Sequence, residues 1–267
     1  MTSEIFNGRR FLSWFKYDLK QMWRNQMKVA LGIGLSGLIF YALVISYNLL
    51  VNHVWQGPAG EGRVLIFIFA FIALELRQTA TYGFLTEKSK GSAWLMTPAS
   101  TFEKWVGMIL MTLVVIPVLF FVVFFGVDWL LCLIDGSCGE AIITTASTTF
   151  SKYAAAFAAG DAWISTGSLV WIAIVSFFAN FLYFLLCGIC FKKHKVLFGL
   201  AIMFALSMGS SIIMSPIMGA NPDAMEDLFN GGFETAQATI NWFAAITSVL
   251  AVALAGGIYW RLKTIKH

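Results

Sequence analysis

Residues Trp105 to Ile134, WVGMILMTLVVIPVLFFVVFFGVDWLLCLI, decide the fold of this chain. The run contains a single charged side chain, Asp128, near its far end. A helix needs about 20 mostly apolar residues to cross the hydrocarbon core of a bilayer. The run therefore predicts a membrane-spanning helix that is long enough to tilt or to project beyond the membrane.

The whole chain shares this apolar character. Of its 267 residues, 59% are hydrophobic and only 12% are charged, and the mean hydropathy is +0.78. Because soluble domains carry about 25% charged residues, an ordinary soluble fold is excluded. The composition predicts an all-α protein, a polytopic bundle of membrane helices. We find no internal repeat and no linker, so the expected organisation is one transmembrane domain over residues 1–267.

Six apolar runs are long enough to cross a membrane as helices. They cover residues 29–50, 64–85, 105–134, 168–191, 196–218 and 239–260. An N-terminal segment, residues 1–28, precedes them. The sequence therefore predicts six transmembrane helices between residues 29 and 260.

The basic residues predict the orientation of these helices. Sixteen of the 18 Lys and Arg residues lie on or near one side of the membrane if the N-terminus is cytoplasmic. Only Arg63 and Lys152 lie on the other side. Cytoplasmic loops are enriched in Lys and Arg, and six spans return the chain to its starting side. We therefore expect a multi-pass protein of the inner (cytoplasmic) membrane with both termini in the cytoplasm.

The N-terminal segment differs from the spans because charged and aromatic residues alternate along it. Its apolar face consists of side chains at helical spacing: Phe11, Phe15, Leu19, Met22 and Trp23. Basic residues, among them Lys20 and Arg24, lie elsewhere around the helix. The pattern predicts an amphipathic helix in the cytoplasmic interface, with its basic side toward anionic membrane lipid. The same pattern is also typical of a simple topogenic anchor.

The inner half of the second span is too polar to face lipid. It carries charged residues, and a charge at the bilayer centre costs about 2.5–3.5 kcal/mol on insertion scales. One interpretation is a water-accessible translocation path, with these candidate lining residues: Glu75, Arg77, Gln78, Asn180, Ser207 and Ser211. The alternative is a structural ion pair or hydrogen-bonded cluster against a neighbouring helix. Asp128 lies near the outer end of the third span, where solvation makes a special role unnecessary.

The loop at residues 86–104, between the second and third spans, is cytoplasmic by the distribution of basic residues. Its apolar knob consists of three consecutive residues: Trp94, Leu95 and Met96. Pro98 ends the helix that carries the knob, and Ser100 with Glu103 predicts a capping box at the start of the next helix. An exposed apolar surface on such a loop favours a protein partner. The alternative is a well-packed loop without a partner.

This loop resembles the cytoplasmic loop of permease subunits of type-2, exporter-type ABC transporters. The similarity covers an acidic and basic pair, a Gly-Ser step, a Leu before Pro-x-Ser and an acidic residue ahead of a glycine. The matching residues are Glu87, Lys88, Gly91, Ser92, Leu95, Pro98, Ser100, Glu103 and Gly107. The lysine that usually follows the glycine is replaced here by Met108. The family architecture, a basic N-terminal helix and six spans with both termini inside, resembles that expected for the whole chain.

The resemblance implies that the loop is a coupling helix that docks on a separate ATP-binding subunit. The expected contact residues are Glu87, Gly91, Trp94, Leu95, Met96, Pro98, Ser100 and Glu103. It further implies a second permease subunit, in a homodimer or heterodimer, and export of a substrate driven by ATP. ATP and magnesium would be bound by the partner and not by this chain. By the same resemblance, short re-entrant helices are expected within residues 214–241.

Few residues of the chain suggest chemistry. No P-loop motif occurs, so we expect ATP hydrolysis on a partner and do not expect this chain to be an enzyme. The C-x-x-C of Cys187 and Cys190 is more typical of two small apolar residues on a span than of a redox or metal site. Cys132 and Cys138 can form a disulfide if their end faces an oxidising compartment. No cofactor, metal or nucleic-acid partner is expected.

A non-transporting protein is the alternative function. Such a membrane anchor, scaffold or sensor would use its spans only to hold an interaction surface for a cytoplasmic partner. Co-purification of an ATP-binding subunit favours the transporter, whereas its absence favours the scaffold.

Overall fold

A computed structural model of the chain describes residues 6–159, 165–220 and 232–265. In these ranges the chain is helical, with turns between the helices and no strand, which confirms the expected all-α class. The helices are α1 (Gly8–Met22), α2 (Lys28–Gly34), α3 (Ser36–Tyr47), α4 (Gly60–Thr81), α5 (Lys88–Leu95), α6 (Thr101–Leu110), α7 (Ile116–Ile134), α8 (Ile142–Ala159), α9 (Thr166–Cys190), α10 (Lys195–Ala220) and α11 (Gly232–Thr264).

Five stretches of the described residues are long and apolar enough to cross a membrane. They are Lys28–Asn52, Gly60–Thr86, Thr101–Ile134, Thr166–Cys190 and Gln237–Thr264. They correspond to five of the six predicted spans. The chain therefore has the architecture of a multi-pass membrane protein.

The remaining predicted span, residues 196–218, lies on α10. Side chains of α10 are described only as far as Gly209, and the segment Lys195–Gly209 is apolar but shorter than a span. The count of six spans therefore stays a prediction. The centre of the segment expected to form re-entrant helices, residues 221–231, lies outside the described residues.

Three π-helical turns link helices or extend them within the described residues. They cover Trp23–Met27, Asn48–Asn52 and Met111–Val115. The third precedes Pro117, which lies in the first turn of α7. Proline has no backbone N–H to donate, and a widened turn accommodates it within a continuous helix. The π-helical turn Trp23–Met27 joins α1 to α2 without a loop. The N-terminal helix therefore continues directly into the first span.

Phenylalanine rings fill the core between α4, α7 and α9. Each helix contributes two rings four residues apart, which lie on one helical face: Phe67 and Phe71, Phe120 and Phe124, Phe177 and Phe181. The ring centroids of Phe67 and Phe124 are 5.2 Å apart. In a membrane, helices associate through such packing because lipid removes the hydrophobic driving force between them.

A glycine allows α4 and α9 to approach closely. A Cβ atom added at Gly188 on α9 would overlap the carbonyl oxygen of Thr79 on α4. Any side chain at this position would therefore separate the two helices. Small residues play the same part at many contacts between membrane helices.

Candidate functional site: the junction between α1 and the α5 loop

The predicted helix, turn and capped restart between the second and third spans are confirmed. A 3-10 turn, Gly83–Thr86, leads from α4 into α5, and α6 begins after the turn that contains Pro98. The backbone N–H of Glu103 donates to Ser100 Oγ at 3.1 Å, and the N–H of Ser100 donates to Glu103 Oε2 at 2.8 Å. These two bonds form the expected capping box. Below, "the junction" means the contact of α1 with residues 82–107.

The expectation that Trp94 forms an exposed knob is wrong. Its side chain is only 3% exposed, because α1 covers it. The ring packs edge-on against Trp14, with centroids 5.7 Å apart, and against Tyr82 at 6.0 Å. Leu95 is half-buried, whereas Met96 is 82% exposed. A buried indole needs an acceptor for its N–H, and α1 provides one.

That acceptor is Asp18, a fully buried carboxylate in the middle of α1. Trp94 Nε1 donates to Asp18 Oδ1 at 2.9 Å, and the hydroxyl of Tyr82 donates to Asp18 Oδ2 at 2.7 Å. In the described part of the chain, no Lys or Arg forms an ion pair with Asp18. Burial raises the pKa of the Asp18 carboxyl group, while the bonds from Trp94 and Tyr82 act in the opposite direction. Three segments of the chain therefore meet at one carboxylate.

Glu103 anchors the first turn of α1 as well as capping α6. Arg10 donates to both carboxylate oxygens of Glu103, with Arg10 Nε 2.9 Å from Oε2 and Arg10 Nη2 2.8 Å from Oε1. The backbone N–H of Asn7 also donates to Oε1 at 2.8 Å. Bidentate Arg–carboxylate contacts of this kind are strong and geometrically specific. The capping pattern identified Glu103 from the sequence, but nothing local indicated its bond to a residue 93 positions away.

Gly107 makes room for α1 on the surface of α6. A Cβ atom there would overlap the ring of Trp14. The indole N–H of Trp14 donates to Thr97 Oγ1 at 3.2 Å, and Lys104 Nζ donates to the carbonyl oxygen of Leu95 at 2.7 Å. The glycine is therefore required for close contact between α1 and α6.

Most of the predicted apolar face of α1 packs against other parts of the protein and is not exposed. Met22 is 2% exposed and packs in the core. Phe11, Phe15 and Leu19 are half-buried and pack against the core. Trp23 remains 51% exposed. Most of the apolar side of α1 therefore covers the loop and the core.

The candidate path residues of α4 point toward two different helices. Asn180 on α9 donates to Glu75 at 3.5 Å, whereas Arg77 donates to Gln26 in the first π-helical turn at 2.7 Å. Glu75 and Arg77 do not pair with each other. Gln78 is buried. Of the remaining two candidates, Ser207 is exposed on α10, and the side chain of Ser211 lies outside the described residues.

A second polar cluster, missed from the sequence, holds the opposite end of α4. Arg63 is buried and donates to Asp128 Oδ1 at 2.9 Å and to the carbonyl oxygens of Cys138 and Glu140 at 3.0 and 2.8 Å. The N–H of Ile142 donates to Asp128 Oδ2 at 2.7 Å. We call this cluster the Arg63 clamp. The view that Asp128 is solvated and has no special role is wrong, because Arg63 and α8 bury it.

A disulfide closes the loop that the clamp holds. Cys132 and Cys138 are bonded to each other, so the bridge that the sequence left open is formed in this structure. Next to it, Tyr41 donates a hydrogen bond to Asp135, and Ser137 Oγ accepts from the backbone N–H of Gly57 at 2.9 Å. The bond from Tyr41 lowers the pKa of Asp135. The signals available in the sequence were Arg63 on a side poor in basic residues and the lone carboxylate of the third span.

Known proteins do not place this chain in a family. Comparisons with family models, curated proteins and solved structures found no match to it. In the described residues, no group of three or more His, Cys, Asp and Glu side chains could hold a metal ion. The functional interpretation therefore depends on the geometry of the junction and on the helices that it connects.

Proposed function

We propose that this chain is the permease subunit of an ABC transporter of the type-2, exporter-type class. In this proposal it has six spans, lies in the cytoplasmic membrane with both termini inside, and works with a second permease subunit. A separate ATP-binding subunit binds ATP and magnesium and drives the export of a substrate. The chain itself is not an enzyme.

The observation that supports this proposal is the way in which the junction connects the loop to the spans. Asp18 ties α1 to Tyr82, directly after α4, and to Trp94 on α5. Glu103 ties α1 to the start of α6. Because α1 continues into the first span and α6 continues toward α7, a displacement of the loop is passed to three spans. A loop that only connected two helices would not need these buried bonds.

The exposed residues of the loop narrow the contact surface for the ATP-binding subunit. Glu87, Met96 and Pro98 are exposed, and we assign the docking contact to them. Gly91 and Trp94 are buried, so their part is to hold the shape of the loop. Exposed apolar side chains such as Met96, with its flexible thioether, adapt well to a partner surface.

In this mechanism the polar residues of α4 line the translocation path. The path opens alternately toward the cytoplasm and toward the outside. The contact between Glu75 and Asn180 links α4 to α9, and the contact between Arg77 and Gln26 links α4 to the π-helical turn between α1 and α2. Relative movement of these helices would break both contacts and open polar surface between them. Such rigid-body switching of packed helices is a common mechanism of conformational change.

Co-purification tests the proposal directly. The chain is purified from the membranes of its native cell, any ATP-binding protein that co-purifies is identified, and the ATPase activity of the complex is measured. Met96→Asp should reduce association, because it places a charge in an apolar contact. Thr264→Asp is the matched control, since Thr264 is exposed on the predicted same side but outside the loop. If no ATP-binding protein co-purifies with the parent chain, the scaffold interpretation replaces the transporter.

Site-directed labelling tests the orientation separately. Cysteines introduced by Gly60→Cys and Asp223→Cys should react with an impermeant thiol reagent added to intact cells. A cysteine introduced by Ser89→Cys, in the loop, should react only after the cells are opened. Labelling of the Ser89→Cys variant in intact cells would reverse the proposed topology.

A further inference from the structure

The polar side of α1 faces an open cavity of about 420 Å³ that the junction does not use. It is lined by Tyr17, Lys20, Gln21 and Arg24. These residues follow each other at spacings of three, one and three, which places them along one stripe of the helix. Asp18, which belongs to the junction, is buried and does not line the cavity.

The two cations of this cavity have no carboxylate partner in the described part of the chain. The ion pairs there join Arg10 to Glu103 and Arg63 to Asp128, and neither involves Lys20 or Arg24. The described lining contains no acidic residue. Its side chains offer four donor groups: an ammonium, a guanidinium, a phenol hydroxyl and an amide N–H₂. A pocket with two free positive charges and several donors is suited to an anion with several oxygen atoms.

The cavity lies directly beside the start of the first span. Arg24 precedes Lys28, the first residue of that span, by four residues, which is about 6 Å along a helix. Its neighbour Trp23 is half-exposed, and exposed tryptophans mark the level of the lipid headgroups. The stripe is therefore at the depth where the phosphates of one leaflet lie.

We propose that this cavity binds the phosphate group of an anionic ligand. The guanidinium of Arg24 matches two phosphate oxygens at once, and the ammonium of Lys20 acts as a second point charge. Tyr17 and Gln21 add hydrogen bonds. The shared chemistry is a phosphate group with a net negative charge, and the position of the cavity favours an anionic phospholipid headgroup over free phosphate. The site does not depend on the proposed transport function.

Lipid retention by the purified full-length chain tests this site. The protein in a non-ionic detergent is titrated with phosphatidylglycerol, and bound lipid is counted by native mass spectrometry. No membrane surface is present under these conditions, so the measurement reports local contacts. The double variant Lys20→Gln, Arg24→Gln should weaken retention about 25-fold, because each basic residue near an anionic headgroup contributes roughly fivefold.

A second double variant separates the site from general charge attraction. Arg9→Gln with Lys16→Gln removes the same charge from exposed positions of the same helix that do not line the cavity. It should retain phosphatidylglycerol like the parent. The charge-preserving exchange Lys20→Arg with Arg24→Lys should keep most of the binding. Equal loss in both Gln double variants, or no loss in the Lys20→Gln, Arg24→Gln variant, would overturn the site.

Two further probes identify the source of the phosphate. Inorganic phosphate is added to the protein loaded with phosphatidylglycerol, and phosphatidylcholine replaces phosphatidylglycerol in a parallel titration. Retention of phosphatidylglycerol in excess phosphate, together with weak binding of phosphatidylcholine, assigns the cavity to an anionic lipid headgroup. Displacement of the lipid by inorganic phosphate assigns it to free phosphate. Equal retention of phosphatidylcholine, in the parent and in the Lys20→Gln, Arg24→Gln variant, would contradict the proposal.

Discussion

A buried aspartate holds each end of α4, but the two aspartates have different partners. At the Arg63 clamp, Asp128 accepts from a guanidinium and a backbone N–H. At the junction, Asp18 accepts from the neutral donors of Trp94 and Tyr82. Arg63 and Tyr82 are nineteen residues apart, which corresponds to about 28 Å of helix. An aspartate thus accepts from a charged donor at one end of α4, whereas a different aspartate accepts from uncharged donors at the other end.

This difference indicates which end of the molecule is fixed and which can rearrange. Opening the Arg63 clamp would leave two opposite charges buried and unpaired, which is strongly unfavourable. Opening the junction would leave one carboxylate, and a proton can neutralise it. We therefore expect the clamp to stay closed and the junction to be the end of α4 that can rearrange.

The largest effect is expected from removing the cation of the clamp. Arg63→Ala should lower the free energy of unfolding by about 3–5 kcal/mol, because it leaves Asp128 as an uncompensated buried charge. Thermal unfolding of the purified protein in detergent measures the change. Arg63→Ala combined with Asp128→Ala should cost less than the sum of the two single changes. Lys152→Ala, at an exposed cation of α8, is the control, and a similar loss in that variant would contradict the clamp.

A smaller effect is expected from removing the carboxylate of the junction. Asp18→Ala should lower the free energy of unfolding by about 2–3 kcal/mol, because the buried donors of Trp94 and Tyr82 lose their acceptor. Asp18→Asn keeps an acceptor oxygen and should cost less. The same unfolding measurement compares the two variants with the parent. Equal stability of all three proteins would show that these hydrogen bonds do not hold α1 to the loop.

Loss of the helix cap should have a modest effect. Ser100→Ala removes the side-chain acceptor of the capping box and should cost about 1 kcal/mol. Ser151→Ala is the matched control, since Ser151 is exposed on α8 and donates only to the carbonyl oxygen of Thr148. Hydrogen exchange of the first amides of α6 should increase in the Ser100→Ala variant and remain unchanged in the control. Unchanged exchange at α6 would mean that the Ser100 side chain does not stabilise the start of α6.

The smallest expected effect is a pH dependence of opposite sign at the two ends. The pKa of Asp18 is raised by burial. Its contribution to stability is therefore fully present below its ordinary pKa of 3.8 and is lost as the pH rises through the folded-state pKa. The pKa of Asp135, beside the clamp, is lowered by the hydrogen bond from Tyr41. Its contribution is present above 3.8 and is lost as the pH falls.

Hydrogen exchange, corrected for its intrinsic pH dependence, distinguishes the two ends. Amides of α5 should open more readily as the pH rises from about 4 toward neutral, and Asp18→Asn should remove this trend. Amides of residues 136–142 should open more readily as the pH falls below Asp135's ordinary value. The same direction of change at both ends would contradict the environments assigned to Asp18 and Asp135.

The comparison also shows which features a sequence can reveal. Continuous apolar runs such as residues 105–134 predict spans because bilayer thickness fixes the length of helix required. The pair Ser100 and Glu103 predicts a cap because its two hydrogen bonds lie within one turn. Both signals are local. They hold wherever the segment is placed in the folded chain.

The errors all concern contacts between segments far apart in the sequence. Trp94 was expected on the surface, but its acceptor Asp18 lies 76 residues away on α1. Asp128 was expected in solvent, but Arg63 lies 65 residues away on α4. Burial of such residues depends on which helices pack together. That information is not contained in the period or spacing of either segment alone.

The continuous helical run from α1 into α2 has a mechanical consequence. Since only a π-helical turn separates them, a torque on α1 about its axis is passed along the backbone to α2 and is not absorbed by a flexible linker. On α2, Gly34 lies against Val123 of α7, whose Cγ1 would be 3.0 Å from a Cβ added at Gly34. Twisting of α1 would press the backbone of α2 onto that side chain. Rotation of the first helix about its axis would therefore be transmitted from the loop to the middle of the third span.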